Sequence, residues 1–156
     1  MESVILNSNW LVASEIELIY KSKVKTSERP KIESSYSAFE VALKAWDQGK
    51  IELLEQFKVL ILSNSNRALG VLGISSGGIT GTVVDIRLIF AALLKAKATA
   101  FILVHNHPSG KLIPSQADKQ ITQKIKQASQ ILDIALLDHL IITLEGYYSF
   151  ADQGAL

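Results

Sequence analysis

His105 and His107 stand two residues apart directly behind the apolar run 100–104, in a chain with only three histidines. Side chains at i and i+2 on extended backbone project to the same side, so the two imidazoles can be presented to one point. A catalytic zinc site takes three protein ligands and leaves a fourth position for water. Asp118 is the natural third ligand. A helix opening at Ser115 carries it in the first turn, and the loop 108–114 is long enough to fold back and bring it close. A His-His-carboxylate site with an open position lowers the pKa of bound water from about 15.7 to roughly 7 and polarises a carbonyl, which is the chemistry of hydrolysis at neutral pH.

These residues also have plainer readings. Ser115 and Asp118, three apart, form a capping-box pattern, a role compatible with ligation. His139, within Leu136-Leu137-Asp138-His139-Leu140, reads as a hydrogen-bonded structural residue and is left outside the ligand set.

The elements that must position this group follow from periodicity. Residues 15–25 alternate, with Ile16, Leu18 and Tyr20 on one side, which predicts a half-buried strand. Ser37 followed by Glu40 predicts a capping box, and Phe39, Ala42, Leu43 and Trp46 continue a helix to about Gly49. Residues 57–62, the turn 63–66 and residues 68–74 read as a hairpin. Gly77, Gly78 and Gly81 mark a loop, after which Asp85 caps a helix with the apolar stripe Ile86, Ile89, Phe90 and Leu93. The unbroken run 100–104 predicts a central strand buried on both faces, with 105–110 as loop. Ser115 then opens a helix carrying Ile121, Ile125, Ala128 and Leu132, and two strands follow at 134–137 and 140–143. The alternation predicts an α/β domain, a mixed sheet packed by helices in layers. It spans residues 1–156 as one unit, with 1–34 a strand-and-turn extension.

Composition narrows the function. With no cysteine, thiolate metal sites and disulfides are excluded, which fits a cytoplasmic protein whose metal ligands are nitrogen and oxygen. No apolar run approaches the roughly 20 residues of a membrane span, and the start Met-Glu-Ser does not resemble a secretory signal. A net charge of +1 gives no overall attraction to phosphate, and the cluster Lys21, Lys23, Lys25, Arg29 and Lys31 predicts at most weak nucleic-acid contact.

The string His105-x-His107, seven residues, Ser115-x-x-Asp118 resembles the metal-binding signature of the JAMM/MPN-type metallohydrolases. The wider string His105-Asn106-His107-Pro108-Ser109-Gly110, with Leu137-Asp138-His139 and Tyr147-Tyr148-Ser149-Phe150, resembles the RadC branch of that group over residues 35–156. The resemblance implies a layered, MPN-like and deaminase-like fold. It also implies one zinc ion and cleavage of a peptide, isopeptide or related amide bond in an unknown peptide or protein substrate. It further assigns Glu55, in Leu54-Glu55-Gln56-Phe57, as general base and later acid on the attacking water, and the Ser115 hydroxyl as donor to the developing oxyanion. From the residues alone, Glu55 reads equally as a surface carboxylate, and Glu52 competes for its role. Asn106, Ser109 and Gly110 shape the loop without chemistry. Full-length RadC proteins usually carry an N-terminal helix-hairpin-helix region, which the first thirty residues are too few and too strand-like to supply. The alternative function is an accessory role in DNA repair or mobile-element maintenance, acting by binding with the metal structural or dispensable. Nucleobase deamination needs a Pro-Cys-x-x-Cys motif that this chain lacks.

Overall fold

Seven consecutive buried residues make β3 (Ala100–Asn106) the middle of a sheet ordered β2-β1-β3-β4-β5. The computed structural model describes residue 17 and residues 19–78 and 83–156. β1 (Gln56–Leu62) and β2 (Ala68–Ser76) form the expected antiparallel hairpin, and β1 pairs antiparallel to β3 on its other edge. β4 (Ala135–Ile142) runs parallel to β3 and pairs antiparallel with β5 (Tyr147–Ser149), giving a mixed sheet.

The pleat divides the core. Ala100, Ile102 and Val104 of β3 pack with Leu60, Leu140 and Ile142 against Ala38, Phe39 and Ala42 of α1 (Ser35–Lys44). Phe101 and Leu103, on the opposite face, pack with Ile89, Phe90 and Leu93 of α2 (Ile86–Lys95) and Ile125 of α3 (Gln116–Leu132). One helix therefore covers one face and two helices cover the other, an α/β layered arrangement. A run without polar alternation is what such a doubly covered strand requires.

Local chemistry sets the helix starts. The Asp85 carboxylate accepts from the Arg87 N–H at the head of α2, as its position before the apolar stripe predicts. For α1 the box is shifted: Ser34 is the N-cap and Ser37 its reciprocal partner, where the sequence predicted Ser37 and Glu40. That helix also ends at Lys44 and not near Gly49. The Asp47 side chain takes the Gly49 N–H at 2.9 Å and stabilises a turn, while Trp46 stays buried beyond the helix.

Three further expectations are corrected. Residues 19–25 are exposed and irregular and lead into a 3-10 turn at Thr26–Glu28, because no described strand lies alongside to receive Ile19 and Tyr20. Residues 15, 16 and 18 of that predicted strand lie outside the described residues. The two strands predicted at 134–137 and 140–143 are a single strand, β4. Asp138 does not interrupt it because its buried carboxylate accepts from Ser149 Oγ at 2.6 Å, the His139 N–H at 2.7 Å and the Ala151 N–H at 3.0 Å. Finally, His105 and Asn106 belong to β3 and not to the loop: His105 lies opposite Phe57 on one side and Ile141 on the other.

Candidate metal centre

The site lies where β3 leaves the sheet. His105 shares the odd-numbered face of β3 with Phe101 and Leu103, so its ring points toward α3. Asn106 points to the opposite face. His107 follows the strand, held by its N–H to the Ile142 carbonyl at 3.3 Å. Asp118 sits in the first turn of α3 beneath the N-cap Ser115. Its Oδ2 accepts the Ser115 N–H at 2.7 Å while Ser115 Oγ accepts the Asp118 N–H at 3.0 Å, so the capping box is formed and holds the carboxylate in place. Glu55 precedes β1, its backbone paired with Gly77 and Gly78.

One ligand atom from each of Glu55, His105, His107 and Asp118 lies within 4.8 Å of the others. The two Nε2 atoms are 3.0 Å apart, with His105 Nε2 3.3 Å from Asp118 Oδ1 and His107 Nε2 3.3 Å from Asp118 Oδ2. A Glu55 oxygen stands farther off, 3.9 Å from both. Four nitrogen or oxygen ligands placed tetrahedrally about 2.0–2.1 Å from zinc would be separated by roughly 3.3 Å, so the His-His-Asp spacing suits a small divalent cation.

Protonation points the same way. His107 Nδ1 is 2.8 Å from the Lys111 carbonyl, which can only accept, so Nδ1 carries the proton and a neutral ring turns a bare Nε2 lone pair inward. Burial opposes charge on His107, but its hydrogen bond to Asp118 and the Lys111 carbonyl outweigh that and raise its pKa above the ordinary histidine value. Burial would likewise raise Asp118, yet the His105 and His107 imidazoles beside it, which donate to the carboxylate whenever they are protonated, hold its carboxyl well below the usual carboxylate range. An ionised carboxylate beside two inward nitrogens is a donor set of the kind metals select.

The site opens to two clefts. One, about 310 Å³, is lined by Glu55, His105 and Asp118 together with Phe57, Val84 and Ile121. The other, about 230 Å³, lies beyond His107 and includes Glu52 and Glu145. Glu55 and not Glu52 joins the ligand cluster, which separates the two carboxylates that the residues alone left in competition.

The structure therefore brings together Glu55, His105, His107, Ser115 and Asp118. Asn106 does more than shape the loop. This fully buried carboxamide accepts the Gln56 N–H at 2.8 Å and donates to the carbonyls of Ile51 at 2.7 Å and Leu54 at 2.9 Å. The residue between two polar histidines was thus a buried anchor, and its place on the alternate face of a doubly covered strand was the available signal. Gly110, with φ +79°, and Ser109, accepting the Lys111 N–H at 3.3 Å, do shape the loop.

The profile of the RadC-like JAB domain matches residues 32–155, and this chain belongs to that family. A UPF0758 protein of Flavobacterium johnsoniae is 60% identical over 100 residues, covering 64% of this chain and 44% of its own length. One of Chlorobaculum parvum is 37% identical over 147 residues, covering 93% and 64% respectively, and one of Porphyromonas gingivalis is 44% identical over 103 residues, covering 65% and 45%. The chain spans about half the length of the curated relatives it matches. No helix among the described residues is long and apolar enough to cross a membrane.

Proposed function

We propose that this chain is a zinc-dependent hydrolase that cleaves a peptide, isopeptide or related amide bond. His105 Nε2, His107 Nε2 and the Asp118 carboxylate would hold the ion. A bound zinc ion activates water at neutral pH and polarises a carbonyl. Glu55 takes the proton of the attacking water and returns it to the leaving amine. Ser115, whose Oγ already accepts from the Asp118 N–H, has its own hydroxyl proton to donate toward the developing oxyanion.

The observation that carries the reading is the unequal placement of the two carboxylates: Asp118 at 3.3 Å from both imidazoles and Glu55 at 3.9 Å. Asp118 is the nearer partner of both imidazoles and is read as the ligand, while Glu55, set farther back at the edge of the group, is read as the base that reaches the ion's surroundings through a water. One cleft lined by Glu55, His105 and Asp118 and another lined by His107 offer room for a substrate beside the group.

Fluorogenic peptides and lysine-isopeptide conjugates, assayed at matched zinc occupancy, test this with Glu55→Gln and Glu52→Gln in parallel. Glu55→Gln should keep its zinc and lose about 10²–10⁴-fold in rate, the usual effect of removing a general base. Glu52→Gln should keep both. Normal turnover by Glu55→Gln overturns the mechanism.

A further inference from the structure

His139 is completely enclosed, its ring stacked on Phe150 at 4.8 Å and edge-on to Phe57 at 5.6 Å. Its two nitrogens, however, are fully occupied. Nε2 lies 2.8 Å from His105 Nδ1, and Nδ1 lies 2.6 Å from Thr122 Oγ1. Thr122 Oγ1 in turn donates to the Asp118 carbonyl at 2.6 Å.

We infer that His139 and Thr122 are positioning residues that fix the tautomer of His105 and so aim its Nε2 lone pair at the metal position. Hydrogen bookkeeping leaves one solution. The Asp118 carbonyl can only accept, so the single Thr122 hydroxyl proton is committed to it. Thr122 Oγ1 must then accept from His139, which places the ring proton on His139 Nδ1. An enclosed imidazole with no described carboxylate partner is neutral, so His139 Nε2 is a bare acceptor. It takes the proton of His105 Nδ1, and His105 Nε2 is left unprotonated, facing His107 and Asp118. The chain starts at the backbone of Asp118, whose own side chain closes the same site. Partners of this kind behind a ligating histidine hold ring orientation and tautomer, and losing one typically costs 10–100-fold in metal affinity.

This inference rests on the metal reading for its purpose but not for its test. In the chelator-treated full chain, long-range nitrogen-15 correlation spectra of labelled histidines report which ring nitrogen of His105 bears the proton. The expected pattern is a proton on Nδ1 and a pyridine-type Nε2. His139→Phe, which keeps the ring and removes the acceptor, should shift His105 toward the other tautomer and weaken zinc binding about 10–100-fold in chelator competition. His139→Gln, which can accept and donate along the same line, should restore most of both. Thr122→Val should move the spectrum in the same direction as His139→Phe, and Thr122→Ser should not, which keeps the test open if the ring variant fails to fold. A proton on His105 Nε2 in the wild type overturns the inference, as does an unchanged His105 spectrum and zinc affinity in His139→Phe or Thr122→Val. A wild type that binds no zinc overturns the metal reading instead, and the tautomer result stands apart from it.

Discussion

Asn106 brackets Glu55: its carboxamide holds the peptide N–H of Gln56 on one side of the glutamate and the Leu54 carbonyl on the other, at 2.8 and 2.9 Å. A buried side chain on the α1 face of the sheet thus fixes the backbone of a residue whose carboxylate lies beside His105, His107 and Asp118.

Asn106→Ala should be costly. It strands one N–H and two carbonyls in the interior, at about 1–3 kcal/mol for each group left unsatisfied, and a loss of at least about 2 kcal/mol is expected. Urea denaturation measures it, read as a lower midpoint at unchanged slope. A loss within about 0.5 kcal/mol, the range of an inconsequential surface change, would mean that Asn106 is no anchor.

Purified wild type should hold about one equivalent of zinc, and His105→Ala, His107→Ala and Asp118→Ala should each lose it, as a three-ligand site requires. Elemental analysis reads the occupancy. Zinc should also stabilise the wild type by about 2.7 kcal/mol at a free concentration a hundred times its dissociation constant, an effect absent from the three variants. Undiminished zinc in all three would sink the ligand assignment.

The metal-free protein should lose stability on mild acidification in a way that depends on His139. Burial holds the pKa of this imidazole well below the ordinary value near 6.5. Below pH 6.5 the unfolded chain therefore binds a proton at this position that the folded chain does not, and stability falls with pH by at most about 1.4 kcal/mol per unit. His107 acts with the opposite sign: its raised pKa gives stabilisation that is complete below 6.5 and lost as pH rises through the folded value. Thermal melts of the chelated wild type and His139→Phe between pH 7.5 and 5 isolate the first contribution. The variant should show the smaller acid sensitivity, and equal sensitivity would contradict this account.

Lys21, Lys23 and Lys25 are exposed, but the chain carries a net charge of only +1. Gel shifts across a salt series should show weak, non-specific binding to nucleic acid that fades as salt rises. Tight, sequence-selective binding at physiological salt would favour the accessory role over hydrolysis.

What could be read from the sequence was whatever depends on near neighbours. Asp85 ahead of a 3.6-residue stripe was enough for α2, and the unbroken run before His105 was enough for the central strand and the end from which the site projects. The errors lie where distant residues decide. Asp138-His139 looked like a gap between two strands because the groups that satisfy them, Ser149, Ala151 and Thr122, arrive from elsewhere in the chain. Asn106 looked like loop because its partners lie about fifty residues upstream. The α1 box was misplaced because serine at the third helical position closes it from Ser34, a weaker pattern than the glutamate three residues after Ser37.

The hairpin between β1 and β2 turns at the end of β1 remote from Glu55, with Ser63, Asn64 and Ser65 at its tip and Asn66 in the left-handed conformation at φ 55°. At about 3.4 Å per residue the seven residues of β1 put that tip roughly 20 Å from the site. It is consequently a natural place to attach a fluorophore or splice in an affinity tag: an insertion between Asn64 and Ser65 lengthens a solvent-facing turn and leaves both clefts clear, provided the Asn66 carbonyl keeps its hold on the Ile32 N–H.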